Sequence, residues 1–177
     1  MITFVTGNKK KFEEAKLVLP ELVQLYIDLP EIQEIDPHKI IRAKLDAAFA
    51  HAEGEFIVED TSLYFECLNG LPGPLIKWFL QTVGLSGLAE LVKKLGNDRA
   101  AARTLVGYAR SRGNVHFFEG EIKGRIVAPR LTTSFSWDTI FLPDGYEKTF
   151  AEMEREEKNA ISMRRLAFDK LKKFLVS

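Results

Sequence analysis

The 177-residue sequence predicts an α/β protein with a mixed β-sheet and flanking helices. Two observations carry this prediction. In the first third of the chain, short apolar runs typical of buried strands alternate with segments whose apolar residues recur at helical spacing. From residue 100 to residue 126 the pattern changes to consecutive strands with turn signals. This order fits two lobes around a central cleft, within one domain that spans residues 1–177 and has no separable linker.

The first half of the chain alternates strands and helices. Apolar runs predict strands at residues 2–5, 23–27 and 56–58. The first predicted helix, which Pro20 ends, carries on one face Phe12, Ala15 and Leu19. The second predicted helix, which ends before Gly54, carries Ile40, Ala43, Ala47 and Ala50. An acidic loop at residues 28–31 lies between these two helices.

The second half begins with a run of turn formers at residues 69–74. Two helices are predicted next, at residues 75–83 and 85–95. The strands between residues 100 and 126 are predicted to be separated by turns at residues 112–114 and 119–120. A final helix is predicted over about residues 159–176, with an apolar face made of Ile161, Phe168, Leu171 and Leu175.

Composition narrows the range of partners. Lys and Arg together number 25, as do Asp and Glu, so the formal net charge is zero and we expect no nucleic-acid or membrane partner. Cys67 is the only cysteine, which excludes an internal disulfide. No apolar run approaches the roughly 20 residues that span a bilayer, and the start of the chain does not resemble a secretory signal. We therefore expect a cytoplasmic protein.

Residues 6–11, Thr-Gly-Asn-Lys-Lys-Lys, lie between the first predicted strand and the first predicted helix. Backbone N–H groups at the start of a helix lack partners, and the helix dipole favours an anion there. Gly7 lets the backbone approach a ligand closely, and Lys9, Lys10 and Lys11 supply positive charge. The segment predicts a phosphate-binding loop, although it lacks the spacing of a Walker A motif. The alternative is a surface turn followed by solvated lysines.

Carboxylates follow two of the predicted strands. Glu31 and Glu34 lie in the loop after the second strand, and Glu59 and Asp60 are placed at the end of the third. Strand ends are where open α/β sheets place their ligands. Mg²⁺ takes one or two carboxylates and completes its shell with water and phosphate oxygens, and a further carboxylate can activate water. The alternative is that these side chains are merely solvated.

Residues 135–138, Phe-Ser-Trp-Asp, place two aromatic rings close to a carboxylate. A base could stack on an aromatic ring while Asp138 accepts hydrogen bonds from its edge. The alternative is a strand with core aromatics. Polar groups at residues 158–164 could reach a phosphate or a base carbonyl, unless Asn159 or Ser162 is simply a helix N-cap.

Read together and in order, these segments resemble the inosine triphosphatase (Ham1-type) family. The matching segments cover nearly the whole chain: residues 6–8, Lys11, 28–31, 58–63, 70–74, 76–79, 118–120, 124–126, 128–130, Phe135, 137–138, 150–153 and 157–160. Each segment alone is a weak signal, and together they are highly specific.

The resemblance implies an elongated mixed α/β fold with a deep cleft, a homodimer and Mg²⁺-dependent catalysis. The implied enzyme is a nucleoside triphosphate pyrophosphatase that hydrolyses deaminated purine nucleotides, such as ITP, dITP or XTP, to the monophosphate and pyrophosphate. Two alternatives stay open. The base preference could differ, or the chain could bind nucleotides without turnover.

The resemblance also assigns roles to individual residues. The triphosphate would be held by Thr6, Asn8, Lys11, Lys44 and Lys77. Glu31 and Asp60 would bind Mg²⁺, Asp60 is the expected proton acceptor, and Thr61 would contact the substrate. The base would be flanked by Phe135 and Trp137 and contacted by Asp138, with Lys158 and Arg164 completing the site.

Two departures from the family pattern concern the base. Where the family reads Ser-His-Arg, this chain reads Ser-Met-Arg, with Met163 in the middle. Methionine cannot donate a hydrogen bond to a keto oxygen, so base recognition would rest on Arg164 and backbone N–H groups. Thr133 or Ser134, and Ser136, stand where the family usually has glycine, and their side chains would narrow or re-aim the base pocket. Met163 and Ser136 are therefore expected at the substrate.

Overall fold

The computed structural model describes residues 1–131 and 136–177. The strands in these residues, β1 to β7, are Ile2–Val5, Val23–Leu25, Glu55–Phe65, Pro72–Gly73, Arg99–Ala109, Val115–Ile126 and Phe141–Pro143. The α-helices in these residues, α1 to α6, are Lys9–Val18, Pro37–His51, Ile76–Thr82, Gly84–Leu95, Arg155–Ile161 and Met163–Leu175. Short 3₁₀-helices occupy Glu66–Leu68 and Trp137–Thr139.

All seven strands belong to one mixed sheet with the order β2-β1-β3-β5-β6-β7, and β4 pairs with β3. β1 is parallel to both of its neighbours, so that Thr3 lies opposite Val23 on one side and Phe56 on the other. The β3–β4 and β6–β7 pairs are antiparallel. The mixed sheet and its helices confirm the predicted α/β class.

The chain forms two compact units. Unit 1 comprises residues 1–61, 104–120 and 162–177, and unit 2 comprises residues 62–103 and 121–161. The expectation of one domain with two lobes around a cleft stays a prediction. Within the described residues, no helix combines the length and apolar character needed to cross a membrane.

Unit 1 has helices on both faces of its strands. Successive side chains of a strand point to opposite sides, so each strand contributes apolar side chains to both faces. On one face Phe4, Ile57 and Val106 pack against α1 and α6. On the other face Phe56 and Val58 pack against α2. The helices contribute the buried side chains of Ala15, Val18, Ala167, Phe168 and Leu171 to the first face, and of Ile41, Leu45 and Ala48 to the second. Strands buried on both faces explain why their sequences read as continuous apolar runs.

Unit 2 contains a buried aromatic cluster. The ring of Phe141 lies 5.8 Å from the ring of Trp137 and 5.2 Å from that of Phe150, measured between centroids. These three side chains are at most 9% exposed. Helices α3 and α4, predicted from the sequence at nearly these bounds, pack together in the same unit.

Two predictions about strands were wrong. The strand expected at residues 56–58 continues to Phe65, so Glu59 and Asp60 lie in the middle of β3 and not at its end. Gly120, expected in a turn, lies inside β6. A Cβ atom at Gly120 would overlap the carbonyl oxygen of Met163, so glycine is needed there for α6 to pack against the strand. The turn predicted at residues 112–114 is confirmed.

The single final helix predicted over residues 159–176 is in fact two helices, α5 and α6. They are separated at Ser162, whose backbone is extended and whose Oγ accepts a hydrogen bond from the Arg165 N–H at 3.2 Å. The alternative considered for Ser162, a helix N-cap, is therefore confirmed.

Candidate active site

The loop between β1 and α1 is held in place by its own side chains. The Asn8 Oδ1 accepts from the Lys11 N–H at 3.1 Å and caps α1, while the Thr6 Oγ1 accepts from the Asn8 N–H at 3.1 Å. The Gln24 side-chain amide donates to the Thr6 carbonyl at 2.9 Å, which ties the loop to β2. The predicted phosphate-binding loop is thus a fixed turn at the start of a ten-residue helix.

This loop lines a pocket of about 670 Å³ in unit 1. The pocket brings together six residues assigned to the site from the sequence, namely Thr6, Gly7, Asn8, Lys11, Glu31 and Lys44. Gly7 also faces the ring of Tyr26, and a Cβ atom at Gly7 would lie 3.0 Å from that ring. Lys9 and Lys10 are exposed in the first turn of α1. Loops, a helix start and two lysines therefore meet at one surface.

Glu59 is the most buried charged group of this region, with a side chain that is 2% exposed. Its Oε1 lies 2.9 Å from the Lys11 Nζ, and its two oxygens accept from the Arg164 guanidinium at 2.7 and 3.0 Å. Burial alone would raise the pKa of Glu59, but the charges of Arg164 and Lys11 and their hydrogen bonds outweigh it and hold that pKa far below its ordinary value. Glu59 is therefore ionised and fully paired inside the fold.

Arg164 lies at the start of α6, and its guanidinium donates hydrogen bonds to more than one carboxylate. Besides Glu59, it contacts the Glu14 carboxylate and lies 3.4 Å from the Thr61 Oγ1. Burial would lower the pKa of Arg164, but the two carboxylates outweigh it and raise that pKa above its ordinary value. The resemblance placed Arg164 at the base. The structure shows it bound to carboxylates, and its role toward a substrate stays a prediction.

Asp60 faces a different helix from Glu59. Its Oδ1 accepts from the Lys44 Nζ at 2.8 Å, and the same Nζ donates to the Glu59 carbonyl at 3.0 Å. The side chains of Lys44 and Asp60 are 12% and 17% exposed. Successive side chains of β3 point to opposite sides of the sheet. Glu59 therefore points toward α1 and α6, and Asp60 points toward α2.

The donor set of this region suits a hard divalent cation. Asp60 and the exposed Glu31 provide carboxylate oxygens, and Mg²⁺ commonly takes only one or two of these from a protein. In the described residues, no group of three or more His, Cys, Asp or Glu side chains is arranged to hold a metal by itself. A cation here would therefore depend on water and substrate oxygens for the rest of its shell.

The residues predicted to bind the base lie in unit 2, apart from Met163 and Arg164. The Lys158 Nζ pairs with the Asp138 Oδ2 at 2.5 Å, and both side chains are about one-fifth exposed. The Ser136 Oγ accepts from the Asp138 N–H at 3.4 Å. Trp137 is 9% exposed in the aromatic cluster, which is the core position considered as its alternative. The roles of these residues toward a base stay predictions.

Lys77 is exposed on α3. Met163 is 2% exposed, and its backbone packs against Gly120. Phe135 lies outside the described residues, as do Thr133 and Ser134.

Sequence reasoning missed Glu14 and the structural role of Glu59. Glu14 lies three residues after Lys11 and four before the buried Val18, so helical spacing places it on the inward face of α1. That spacing was a usable signal for an inward-facing acid. Its partner, Arg164, lies 150 positions away in the sequence and could not be found from local pattern.

A mixed α/β sheet with a capped helix start, lysines and carboxylates at one pocket is an arrangement suited to binding phosphate groups. The chain belongs to the Ham1 family, whose model matches residues 2–174. It is 42% identical to a protein of Schizosaccharomyces pombe named inosine triphosphate pyrophosphatase, covering 99% of this chain and 95% of the relative. It is 43% identical to the protein of that name from Kluyveromyces lactis, covering 98% and 95%.

A solved structure gives the same fold. The Ham1 protein of Staphylococcus aureus matches with a TM-score of 0.81 and covers 99% of this chain and 98% of its own. The two sequences are 24% identical, so this likeness concerns the fold alone. The family expected from the sequence motifs is confirmed.

Proposed function

We propose that this chain is a metal-dependent pyrophosphatase that hydrolyses deaminated purine nucleoside triphosphates, ITP, dITP or XTP, to the monophosphate and pyrophosphate. The names of the fungal relatives support the reaction and the substrate class. One structural observation supports the proposal. The pocket of unit 1 is lined by the start of α1, by Lys11 and Lys44 and by the carboxylate of Glu31, and Lys44 donates a hydrogen bond to Asp60.

The chemistry of this pocket suits a triphosphate. A helix start capped by Asn8 offers N–H groups and a positive dipole end to phosphate oxygens. Lys11 and Lys44 add two positive charges that lie close to carboxylates and can move to a more highly charged anion. Thr6 offers a hydroxyl beside them. Phosphoryl chemistry depends mainly on such positioning and charge stabilisation.

We assign the divalent cation to Glu31 and Asp60, and Mg²⁺ is the ion we expect. When bound, it would neutralise phosphate charge and polarise the reacting phosphorus centre. The remaining steps belong to the residues of the chain. Asp60 accepts a proton from water, the water oxygen bonds to the α-phosphorus, and the bond from that phosphorus to the bridging oxygen breaks. Pyrophosphate leaves with its negative charge met by Lys11 and Lys44.

Base selection rests on the roles that the family resemblance assigns to Phe135, Trp137, Asp138, Lys158 and Arg164. A site with donors for a 6-keto oxygen rejects adenine, because the amino group of adenine leaves those donors unpaired. Met163 and Ser136, which depart from the family pattern, are the positions at which this chain would differ in base preference. A homodimer without nucleic-acid partners and a cytoplasmic location also stay predictions.

The test is pyrophosphate release with Mg²⁺ from ITP, XTP, dITP, ATP, GTP and dUTP. Replacing Asp60 with asparagine keeps the shape and removes the charge and the proton acceptor, so we expect the rate with ITP to fall by at least about 100-fold. Asp46→Asn, an exposed change on α2, is the matched control and should keep the wild-type rate.

The substrate series separates the alternatives. Release from ITP or XTP far faster than from ATP or GTP supports the proposal. Release that favours another base keeps the reaction and moves the substrate class to the altered-preference alternative. Nucleotide binding without release from any triphosphate would overturn the enzymatic proposal in favour of a binding protein.

A further inference from the structure

Lys44 binds the carboxylate of Asp60, which the proposed function assigns to the metal. Its Nζ lies 2.8 Å from the Asp60 Oδ1 and 3.0 Å from the Glu59 carbonyl oxygen, both within hydrogen-bonding distance. Both side chains of the ion pair are less than one-fifth exposed. The pair is therefore stronger and less screened than an ordinary surface ion pair.

A lysine and a divalent cation make competing demands on the same oxygen. A cation at 2.0–2.1 Å from a carboxylate oxygen, the usual Mg²⁺ distance, places two positive centres close together if the lysine stays. Lys44 has an alternative position, because it also lines the pocket that carries Thr6, Asn8 and Lys11. A triphosphate in that pocket would give its ammonium group new acceptors.

We propose that Lys44 is an internal cation that holds Asp60 in the metal-free protein and must transfer to the triphosphate when a divalent cation binds. This inference rests on the proposed function, and it adds a positioning role that links two binding events. Metal binding alone must separate Lys44 from Asp60 without giving its ammonium group a new anionic partner. Metal binding together with a triphosphate gives Lys44 a partner, so each ligand strengthens binding of the other by the same factor.

The four-carbon stem of Lys44 makes this transfer physically reasonable. Its base lies on α2, between the buried Ile41 and Leu45, so the backbone position is fixed while the ammonium group can swing. Arginine at this position would hold Asp60 with a planar, always charged group and would release it less readily.

The experiment measures Mn²⁺ affinity by electron paramagnetic resonance, with and without the non-hydrolysable α,β-methylene analogue of ITP. For the wild type we expect weak binding of Mn²⁺ alone and binding at least about tenfold tighter with the analogue. Lys44→Met should bind Mn²⁺ alone about tenfold more tightly than the wild type, because the ammonium group 2.8 Å from the Asp60 Oδ1 no longer competes with the cation. The enhancement by the analogue should also be smaller than in the wild type, and the part that remains comes from phosphate oxygens that bind the cation directly.

Two variants serve as controls for Lys44→Met. Lys39→Met, on the same helix, removes an ammonium group that is 3.0 Å from the Glu34 Oε2 and should leave Mn²⁺ affinity unchanged. Lys44→Arg keeps the positive charge and should not tighten Mn²⁺ binding. Thermal unfolding of each variant shows whether it is folded. If Lys44→Met does not fold, Lys44→Arg still tests the inference.

The outcomes separate this inference from the proposed function. If Asp60→Asn loses Mn²⁺ binding but Lys44→Met binds Mn²⁺ alone no more tightly than the wild type, the transfer of Lys44 is refuted and the metal site stands. If Asp60→Asn binds Mn²⁺ as the wild type does, the metal assignment fails and this inference fails with it. Tighter Mn²⁺ binding by Lys44→Arg would also refute the inference.

Discussion

Replacing Glu59 with glutamine removes a charge that lies between Arg164 and Lys11 in a site where the Glu59 side chain is 2% exposed. Removing one partner of a buried ion pair costs about 3–5 kcal/mol, because the remaining charge stays buried without compensation. Glu14 still contacts Arg164, and the glutamine carbonyl can accept a hydrogen bond. We therefore expect the low end of the range, a loss of about 3 kcal/mol in the free energy of unfolding at pH 7.

The same change should alter how stability depends on pH. Burial raises the pKa of Glu59, but Arg164 and Lys11 outweigh burial, so the pKa in the folded protein lies below the ordinary value of 4.5. A carboxyl group of this kind stabilises the fold above its unfolded pKa, and the stabilisation is lost as pH falls toward the folded pKa. The gap in stability between wild type and Glu59→Gln should be constant near neutral pH. Below pH 4.5 it should shrink by up to about 1.4 kcal/mol per pH unit.

Urea unfolding followed by circular dichroism at several pH values measures both effects. Asp169→Asn is the matched control. Asp169 pairs with Arg165 at 2.9 Å on α6, the helix that also carries Arg164, but both side chains are about 40% exposed. Such an exposed pair contributes about 0.5 kcal/mol or less. A loss in Glu59→Gln no larger than in Asp169→Asn would refute the reasoning, as would a gap that stays constant well below pH 4.5.

Helix α6 is held by its close packing against Gly120 of β6 and by its N-cap, Ser162, and both contacts can be tested. Gly120→Ala should lower the free energy of unfolding by about 2 kcal/mol, since the added methyl group overlaps the backbone of α6 at Met163; urea unfolding with a midpoint equal to wild type would contradict this. Ser162→Ala should cost about 1 kcal/mol because α6 loses its N-cap. Ser162→Thr, which keeps a hydroxyl acceptor, should recover part of that loss in the same assay, and equal stability of all three proteins would show that the cap contributes nothing.

The part of the site that could be predicted from sequence is the part built from adjacent residues. The loop from Thr6 to Lys11 follows a strand, contains a glycine and starts a helix, and each of these signals is local. The structure places Thr6, Asn8 and Lys11 at one pocket, as expected. Helix and strand positions were predicted for the same reason, since apolar periodicity reports local geometry.

The part that could not be predicted depends on distant partners. Glu59 appeared to follow a strand, because a charged residue after an apolar run normally marks the surface. Its position inside β3 depends on Lys11 and on the buried guanidinium of Arg164, which lies 105 residues later. The division of the final helix likewise depends on Ser162 acting as a cap, which the sequence offered only as one of two alternatives.

The contrast between Glu59 and Asp60 shows how one strand divides neighbouring carboxylates between structure and chemistry. Side chains alternate along β3, so Glu59 meets Arg164 and Asp60 meets Lys44. Arg164 is always charged and is fixed by two carboxylates, which makes the Glu59 pair a permanent part of the fold. Lys44 binds Asp60 through an ammonium group on a flexible four-carbon stem, and such a contact can be exchanged for a metal ion. We therefore expect Asp60, whose contact with Lys44 can be exchanged, to serve the chemistry, and Glu59, held by Arg164, to serve the fold.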